Sequence, residues 1–253
     1  MNKIVLITGA TAGIGRATAI RFAEHGYSVI ITGRRGDRLQ ELEKIITSTY
    51  GVKVFTLQFD IRHHQEVIDA IHSLPHEWRE INVLINNAGL AAGLATIDDA
   101  SVTDFETMID TNIKGLLYIT KEILPFMIQK NSGHIINMSS IAGRQAYLRG
   151  NVYSATKFAV EGLTRSMRID LLPHKIKVSS VSPGAVETDF SLVRFKNDAE
   201  RAKVVYKGFQ PLVAEDIADI IWFIASRPAH VSINDIEVTP IAQSDAHYIH
   251  REE

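Results

Sequence analysis

Along nearly the whole chain, short runs of β-branched and aliphatic residues alternate with longer stretches of helical period, and this alternation constrains the fold more than any other feature. Ile4–Thr8, Ser28–Thr32, Lys53–Leu57, Asn82–Ile85, His134–Met138 and Lys177–Val181 read as strands, and their apolar continuity predicts burial on both faces. Helical patterns fall near 14–25, 37–49, 64–73, 102–129, 152–172 and 215–226. Such a βαβα order predicts an α/β fold, a doubly wound parallel sheet with helices on both faces. A last short strand around Asp235–Pro240, followed by a polar tail, would bring the sheet to about seven strands. No linker, repeat or low-complexity stretch interrupts the pattern, so one domain over 1–253 is expected. The longest unassigned connection, 185–212, has the length of a functional lid.

The first strand runs into Gly9-Ala10-Thr11-Ala12-Gly13-Ile14-Gly15 and then into an amphipathic helix. A side-chain-poor turn in that position lets backbone N–H groups approach a pyrophosphate, while the helix start adds partial positive charge. Gly9, Thr11, Gly13, Ile14 and Gly15 are therefore candidate cofactor-binding residues, with a tight turn that binds nothing as the plainer alternative. After the second strand come Arg34 and Arg35, where an NAD-specific protein places a carboxylate against the ribose 2′-hydroxyl. Two guanidinium groups match a 2′-phosphate instead, which favours NADP; a solvated basic turn with Arg38 is the competing reading. Asp60-Ile61 after the third strand suits either the adenine edge or a helix cap. Asn87, in Asn86-Asn87-Ala88-Gly89, suits the cofactor ribose, a tie between neighbouring loops, or both.

Composition then narrows the chemistry. Cysteine is absent, which removes disulfides, thiolate metal sites and thiol catalysis, and fits a reducing compartment. A net charge of −2 offers no basic field for nucleic acid or an anionic membrane, so a small-molecule substrate is expected. Only three residues precede the first apolar run, too few for a signal h-region or a membrane span, and the cytoplasm is the expected location.

Tyr153 and Lys157 lie four apart in a helical pattern, so their side chains leave one face about 6 Å apart. An ammonium at that range favours phenolate; lowering a tyrosine by two to three units takes roughly 3–4 kcal/mol. Such a pair also arises by chance on exposed helices. Ser140, thirteen positions upstream and at the carboxyl edge of the sheet, turns it into a constellation, because open α/β folds bind ligands at that edge. Ser139 is its neighbour and rival; the spacing to Tyr153 favours Ser140.

Together Thr8-Gly9-x-x-x-Gly13-x-Gly15, Asn86-Asn87-Ala88-Gly89, Ser140, Tyr153-x-x-x-Lys157, Pro183-Gly184 and Thr188 resemble the short-chain dehydrogenase/reductase family, over nearly the whole chain. The resemblance implies a Rossmann fold and NADP-dependent hydride transfer. It implies that Ser140 orients the carbonyl, that Tyr153 is the general acid/base, and that Lys157 lowers the Tyr153 pKa and holds the nicotinamide ribose. By the same token Asn112 anchors a proton-relay water, and Pro183, Gly184, Val186 and Thr188 cradle the carboxamide. A homotetramer built on the 102–129 and 152–172 helices is also implied. More narrowly, Asn86–Leu90, Gly150–Lys157, Val193–Lys196 and Pro228–Val231 are similar to the 3-hydroxy acid dehydrogenases, which act on serine, allo-threonine and 3-hydroxypropionate and reduce malonic semialdehyde.

Arg144, Arg149, Arg194 and Lys196 leave the carboxyl edge of the sheet, where a substrate carboxylate needs a cation; Arg194 is the expected contact, against the alternative of a solvated loop arginine. His72 and His76 have metal-pair spacing, but Pro75 interrupts the helix and no third ligand is evident, so no metal is expected. His247 and His250 read as part of a mobile terminus, and Trp222 and Phe223 as core. Two rivals stand beside a hydroxy acid enzyme. A carbonyl reductase for bulkier ketones would prefer an apolar lid over one carrying Arg194 and Lys196, and a non-catalytic NADP sensor would need none of the acid/base set.

Overall fold

The computed structural model describes residues 3–252; residues 1, 2 and 253, at the extremes of the expected domain, lie outside the described residues. Among the described residues, seven strands form one all-parallel sheet in the order β3-β2-β1-β4-β5-β6-β7. They are β1 (Ile4–Ile7), β2 (Ser28–Gly33), β3 (Val54–Gln58), β4 (Ile81–Asn86), β5 (Gly133–Met138), β6 (Ile176–Pro183) and β7 (Asp235–Val238). Helices α1 (Gly13–Glu24), α2 (Gly36–Tyr50), α3 (His64–His72), α4 (Val102–Ile109), α5 (Leu116–Gln129) and α6 (Asn151–Asp170) follow the strands in turn. The connection after β6 carries α7 (Phe190–Arg194) and α8 (Ala199–Val204), and α9 (Ala214–Ala225) precedes β7.

Alternation along the strands feeds two cores. Val5 and Ile7 of β1 pack with Phe22, Leu42, Ile46 and Ile221 beneath α1, α2 and α9. Ile4 and Leu6 point the other way, into Val67, Ile71, Ile119, Ile123 and Met127 beneath α3 and α5. The central strands are buried on both faces, as their composition predicts, whereas the edge strands β3 and β7 are partly open. Strand order reverses between β1 and β4, so the loops leaving them diverge and open a crevice at the carboxyl edge.

Four details depart from the sequence reading. The expected 102–129 helix is broken by a π-helical segment, Asp110–Gly115, between α4 and α5. Gly115 there packs on Ile61 and Asn112 bonds Leu90 and Thr156; such a short π-helical segment carries no residue-type signature that marks it within a helical pattern. Trp222 is half-buried, stacked on His25 at 3.9 Å, while Phe223 is 43% exposed beneath Arg227, so Phe223 lies outside the core. The 243–252 tail is pinned: Gln243 accepts from Ala185 N at 2.8 Å, His250 N donates to Ala242 O at 2.8 Å, and Glu252 N donates to Gly208 O at 2.7 Å. Lastly, α3 is capped by His63 with no side-chain bond, so Asp60 is no helix cap.

His134 on β5 is a buried histidine with a legible proton. Its Nε2 lies 2.8 Å from the Ser179 hydroxyl, which itself donates to Ile233 O, so Nε2 is the donor and the buried Nδ1 has no partner. Burial, reinforced by Lys177, pulls the ring down to about 3. Between 6.5 and that value the unfolded chain holds a proton that the folded chain refuses, so stability falls as pH drops through this window. Urea midpoints at pH 7 and pH 4 should show wild type losing roughly 3 kcal/mol more than His134→Gln over that interval. Equal losses in both proteins would refute this account.

Candidate active site

The glycine turn lies where β1 hands over to α1. Gly9 sits at φ 68°, and a Cβ on it would come within 3.0 Å of Ala88 Cα; Gly13, at φ 49°, lies against Thr188 at 3.2 Å. A side chain at Gly15 would strike the Gly9 carbonyl. Helix α1 starts with Ala12 as its cap and no side-chain bond, so its first-turn amides remain free donors at the floor of the cleft. Asn87 serves as the tie: its Nδ2 donates to Thr8 O at 2.9 Å and Gly9 O at 3.2 Å, clamping the β1 and β4 loops together.

From this turn a cleft of about 510 Å³ runs along the sheet edge, past Arg34, Arg35, Asp60 and Ile61 at one end and Ser140, Tyr153, Lys157 and Arg194 at the other. Arg35 donates from Nε and Nη2 to the Thr11 hydroxyl at 3.2 and 2.8 Å, which fixes its guanidinium beside the glycine turn. The Arg34 side chain is 58% exposed, 3.8 Å from Asp60. Asp60 is mostly spent on Arg62, whose Nη2 approaches to 2.6 Å; burial raises the carboxyl, but the Arg62 bonds prevail and hold it below its ordinary range. Pro183, Gly184, Val186 and Thr188 line the opposite wall.

At the catalytic end α6 points both Tyr153 and Lys157 inward, with the ammonium 5.9 Å from the Tyr153 ring centre. Lys157 Nζ donates to Met138 O at 2.8 Å, and burial pushes it down to about 8 although Glu161 opposes this. Burial also dominates at Tyr153, lifting it to about 12, against the pull of Arg194 and of the Ser140 hydroxyl. Ser140 Oγ accepts from Ala142 N at 3.1 Å and has only a long 3.4 Å contact to Pro183 O for its own proton, so that proton is easily redirected. Ser139 is buried, with its Oγ beneath Gly143 and without a hydrogen-bond partner among the described residues. Asn112 lies one glycine from the Lys157 ammonium, with its amide fully engaged by the Leu90 backbone and Thr156.

Of the four candidate cations, Arg144 pairs with Glu237 at 3.3 Å, Lys196 pairs with Asp104 at 3.0 Å, and Arg149 borders an adjoining cavity rather than the cleft. Arg194 stands over the Tyr153 ring at 5.0 Å, has no carboxylate within salt-bridge reach among the described residues, and leaves its buried Nε without a partner. Two aromatic residues that sequence reasoning missed set its place. The Tyr147 hydroxyl accepts from Arg194 Nη2 at 2.5 Å, and the Phe190 ring lies 5.3 Å from the guanidinium and 5.6 Å from Tyr153. Tyr147 sits in an irregular connection and Phe190 opens the five-residue α7, and neither setting is long enough for a period to mark a side chain as facing a cleft.

A buried tyrosine beside a lysine and a serine, at the switch point of a dinucleotide-type sheet, fits an oxidoreductase acting on alcohol and carbonyl groups. The chain belongs to the short-chain dehydrogenase family, whose sequence model matches residues 3–199. It is 49% identical over 244 residues to the NADP-dependent 3-hydroxy acid dehydrogenase of Salmonella typhi, covering 96% of this chain and 97% of that protein. It is also 43% identical over 245 residues to sulfoacetaldehyde reductase 2 of Chromohalobacter salexigens, covering 96% of each. Among solved structures, the closed form of serine dehydrogenase complexed with NADP+ superposes with a TM-score of 0.92 at 45% identity, over 98% of this chain and all of that one.

Proposed function

We propose that this protein is an NADP-dependent oxidoreductase that interconverts a small 3-hydroxy acid, of the serine, allo-threonine or 3-hydroxypropionate type, and its semialdehyde. The observation that carries this reading is Arg194, a cation over the acid/base tyrosine with an unpartnered buried Nε, placed to receive a carboxylate. The cleft fits the cofactor: free α1 amides with Gly9, Thr11, Gly13, Ile14 and Gly15 would face the pyrophosphate, and Arg34 and Arg35 the 2′-phosphate. Asp60 and Ile61 would border the adenine, Asn87, Tyr153 and Lys157 the nicotinamide ribose, and Pro183, Gly184, Val186 and Thr188 the carboxamide. Bound NADP supplies or takes up the hydride.

The chain's own residues do the rest. In oxidation Tyr153, as phenolate, takes the hydroxyl proton, Ser140 donates to the same oxygen, and Arg194 fixes the carboxylate so that one C–H bond faces the nicotinamide end. Lys157 holds positive charge below the ring, and a relay water there would rest on the main chain of the π-helical segment, since the Asn112 amide is committed. Reduction reverses each step, with the Tyr153 phenol as proton donor. The 185–212 connection, carrying α7 and Arg194, acts as the lid over this site. Exposed Leu117, Ile128, Phe158 and Ile169 on α5 and α6 supply apolar surface for a homotetramer. Among the described residues no helix is long and apolar enough to cross a membrane, and we place the reaction in the cytoplasm.

A panel of hydroxy acids, semialdehydes and a neutral aryl ketone, followed by nicotinamide absorbance, tests the reading. Carboxylate-bearing substrates should lead by at least tenfold in kcat/KM, and NADPH should exceed NADH by about 10- to 100-fold, the worth of one charge-assisted contact to phosphate. A preference for the aryl ketone, or tight NADPH binding without turnover on any member, would overturn it.

A further inference from the structure

Behind the cleft, on the face of α6 turned to β6, lies a carboxylate that the reaction described above does not use. Glu161 is 3% exposed and sits one helical turn from Lys157, itself 7% exposed. Its Oε1 accepts from the Ser182 hydroxyl at 3.0 Å, and its Oε2 lies 3.3 Å from the Ser180 hydroxyl. A charge buried this deeply is strongly unfavourable unless a partner compensates it.

The neighbouring charges identify that partner. Register sets Asp235 beside Ser180 and Glu237 beside Ser182, so the acids of β7 share this face. Asp235 takes the Ser180 hydroxyl at 2.8 Å and pairs with Arg168 at 3.4 Å; Glu237 pairs with Arg144 at 3.3 Å. Each β7 acid thus has its own arginine. Arg165, a further turn along α6, is exposed. On the cleft side the charged and titratable groups around Lys157 are Tyr153 and, across the Tyr153 ring, Arg194. Among the described residues, the one buried cation left for Glu161 is Lys157.

We propose that Glu161 is a positioning residue for this reaction: its carboxylate, fixed by the Ser182 hydroxyl of β6, holds the Lys157 ammonium in its charged form beside Tyr153. The proposal rests on the reading of Lys157 as the acting cation. Burial alone drives Lys157 toward neutrality near physiological pH, and Glu161 is the group that opposes it. A mere strut between α6 and β6 would leave the ionisation of Lys157 untouched.

In the reduction direction Tyr153 begins protonated, so the lower alkaline ionisation of kcat belongs to Lys157. In Glu161→Gln this limb should move down by about one to two units, the effect of a unit charge one helical turn away in a partly polar interior, and Glu161→Asp should restore most of it. The cofactor-free protein gives an independent readout. A lysine depressed in the fold adds stability as pH rises from its folded pKa to its unfolded one, so Glu161→Gln should gain melting temperature from a lower pH than wild type. Should the glutamine variant fail to fold, Glu161→Met fills the volume without the charge and gives the same comparison. Unmoved limbs and melting profiles, alongside lost turnover in Lys157→Met, would overturn the inference alone. Surviving turnover in Lys157→Met would overturn the reading of Lys157 and the inference with it.

Discussion

Tyr153→Phe is expected to lower kcat in both directions by about 10²- to 10⁴-fold, the range for loss of a positioned general acid/base, while melting temperature and NADPH affinity stay near wild type. The ring packs against Phe190 and lies beneath Arg194, contacts that phenylalanine keeps, so the change deletes one proton-carrying oxygen and little else. Direction should also matter. With Tyr153 lifted to about 12 by burial, its protonated form dominates at neutrality, which suits reduction; oxidation needs the phenolate and should climb steadily with pH. Activity within threefold of wild type in the phenylalanine variant would remove the acid/base role, and a pH-independent oxidation rate would remove the titration argued for it.

The second large effect is expected at Arg194. Replacing it with methionine keeps apolar contact with Tyr147 and Phe190 but removes the unpaired guanidinium, and KM for a hydroxy acid should rise by about 10- to 150-fold, the worth of a hydrogen bond to a charged group. Small neutral alcohols and aldehydes should lose far less, because they bring no carboxylate to the lid. Equal losses on charged and neutral substrates would show that Arg194 shapes the cleft rather than binding the anion. An unchanged KM for the hydroxy acid would dismiss the contact outright.

Much of this was legible before any coordinates. The sequence located all seven strands to within a residue or two, and most firmly the central ones, because parallel strands buried on both faces must be continuous in hydrophobic character. The glycine turn, Ser140, Tyr153 and Lys157 converge on one cleft because strand ends and a four-residue helical spacing translate directly into position. Period could not reveal what depends on tertiary packing. Tyr147 comes from an irregular connection and Phe190 from the five-residue α7, and they meet around Arg194 only because the segment after β6 folds back toward α6. Asn112 owes its orientation to one extra residue in a helical turn, and Gln243 meets Ala185 across a long stretch of sequence.

Helix α7 is five residues long and carries Arg194, the cation proposed to face the substrate, whereas Ser140, Tyr153 and Lys157 are anchored to β5 and α6. On the proposed roles, recognition and chemistry are housed in separable parts of the molecule. A lineage could retune which anion it accepts by editing a few codons in α7, with the proton-transfer apparatus and the sheet beneath it left unaltered, and a protein engineer could follow the same route.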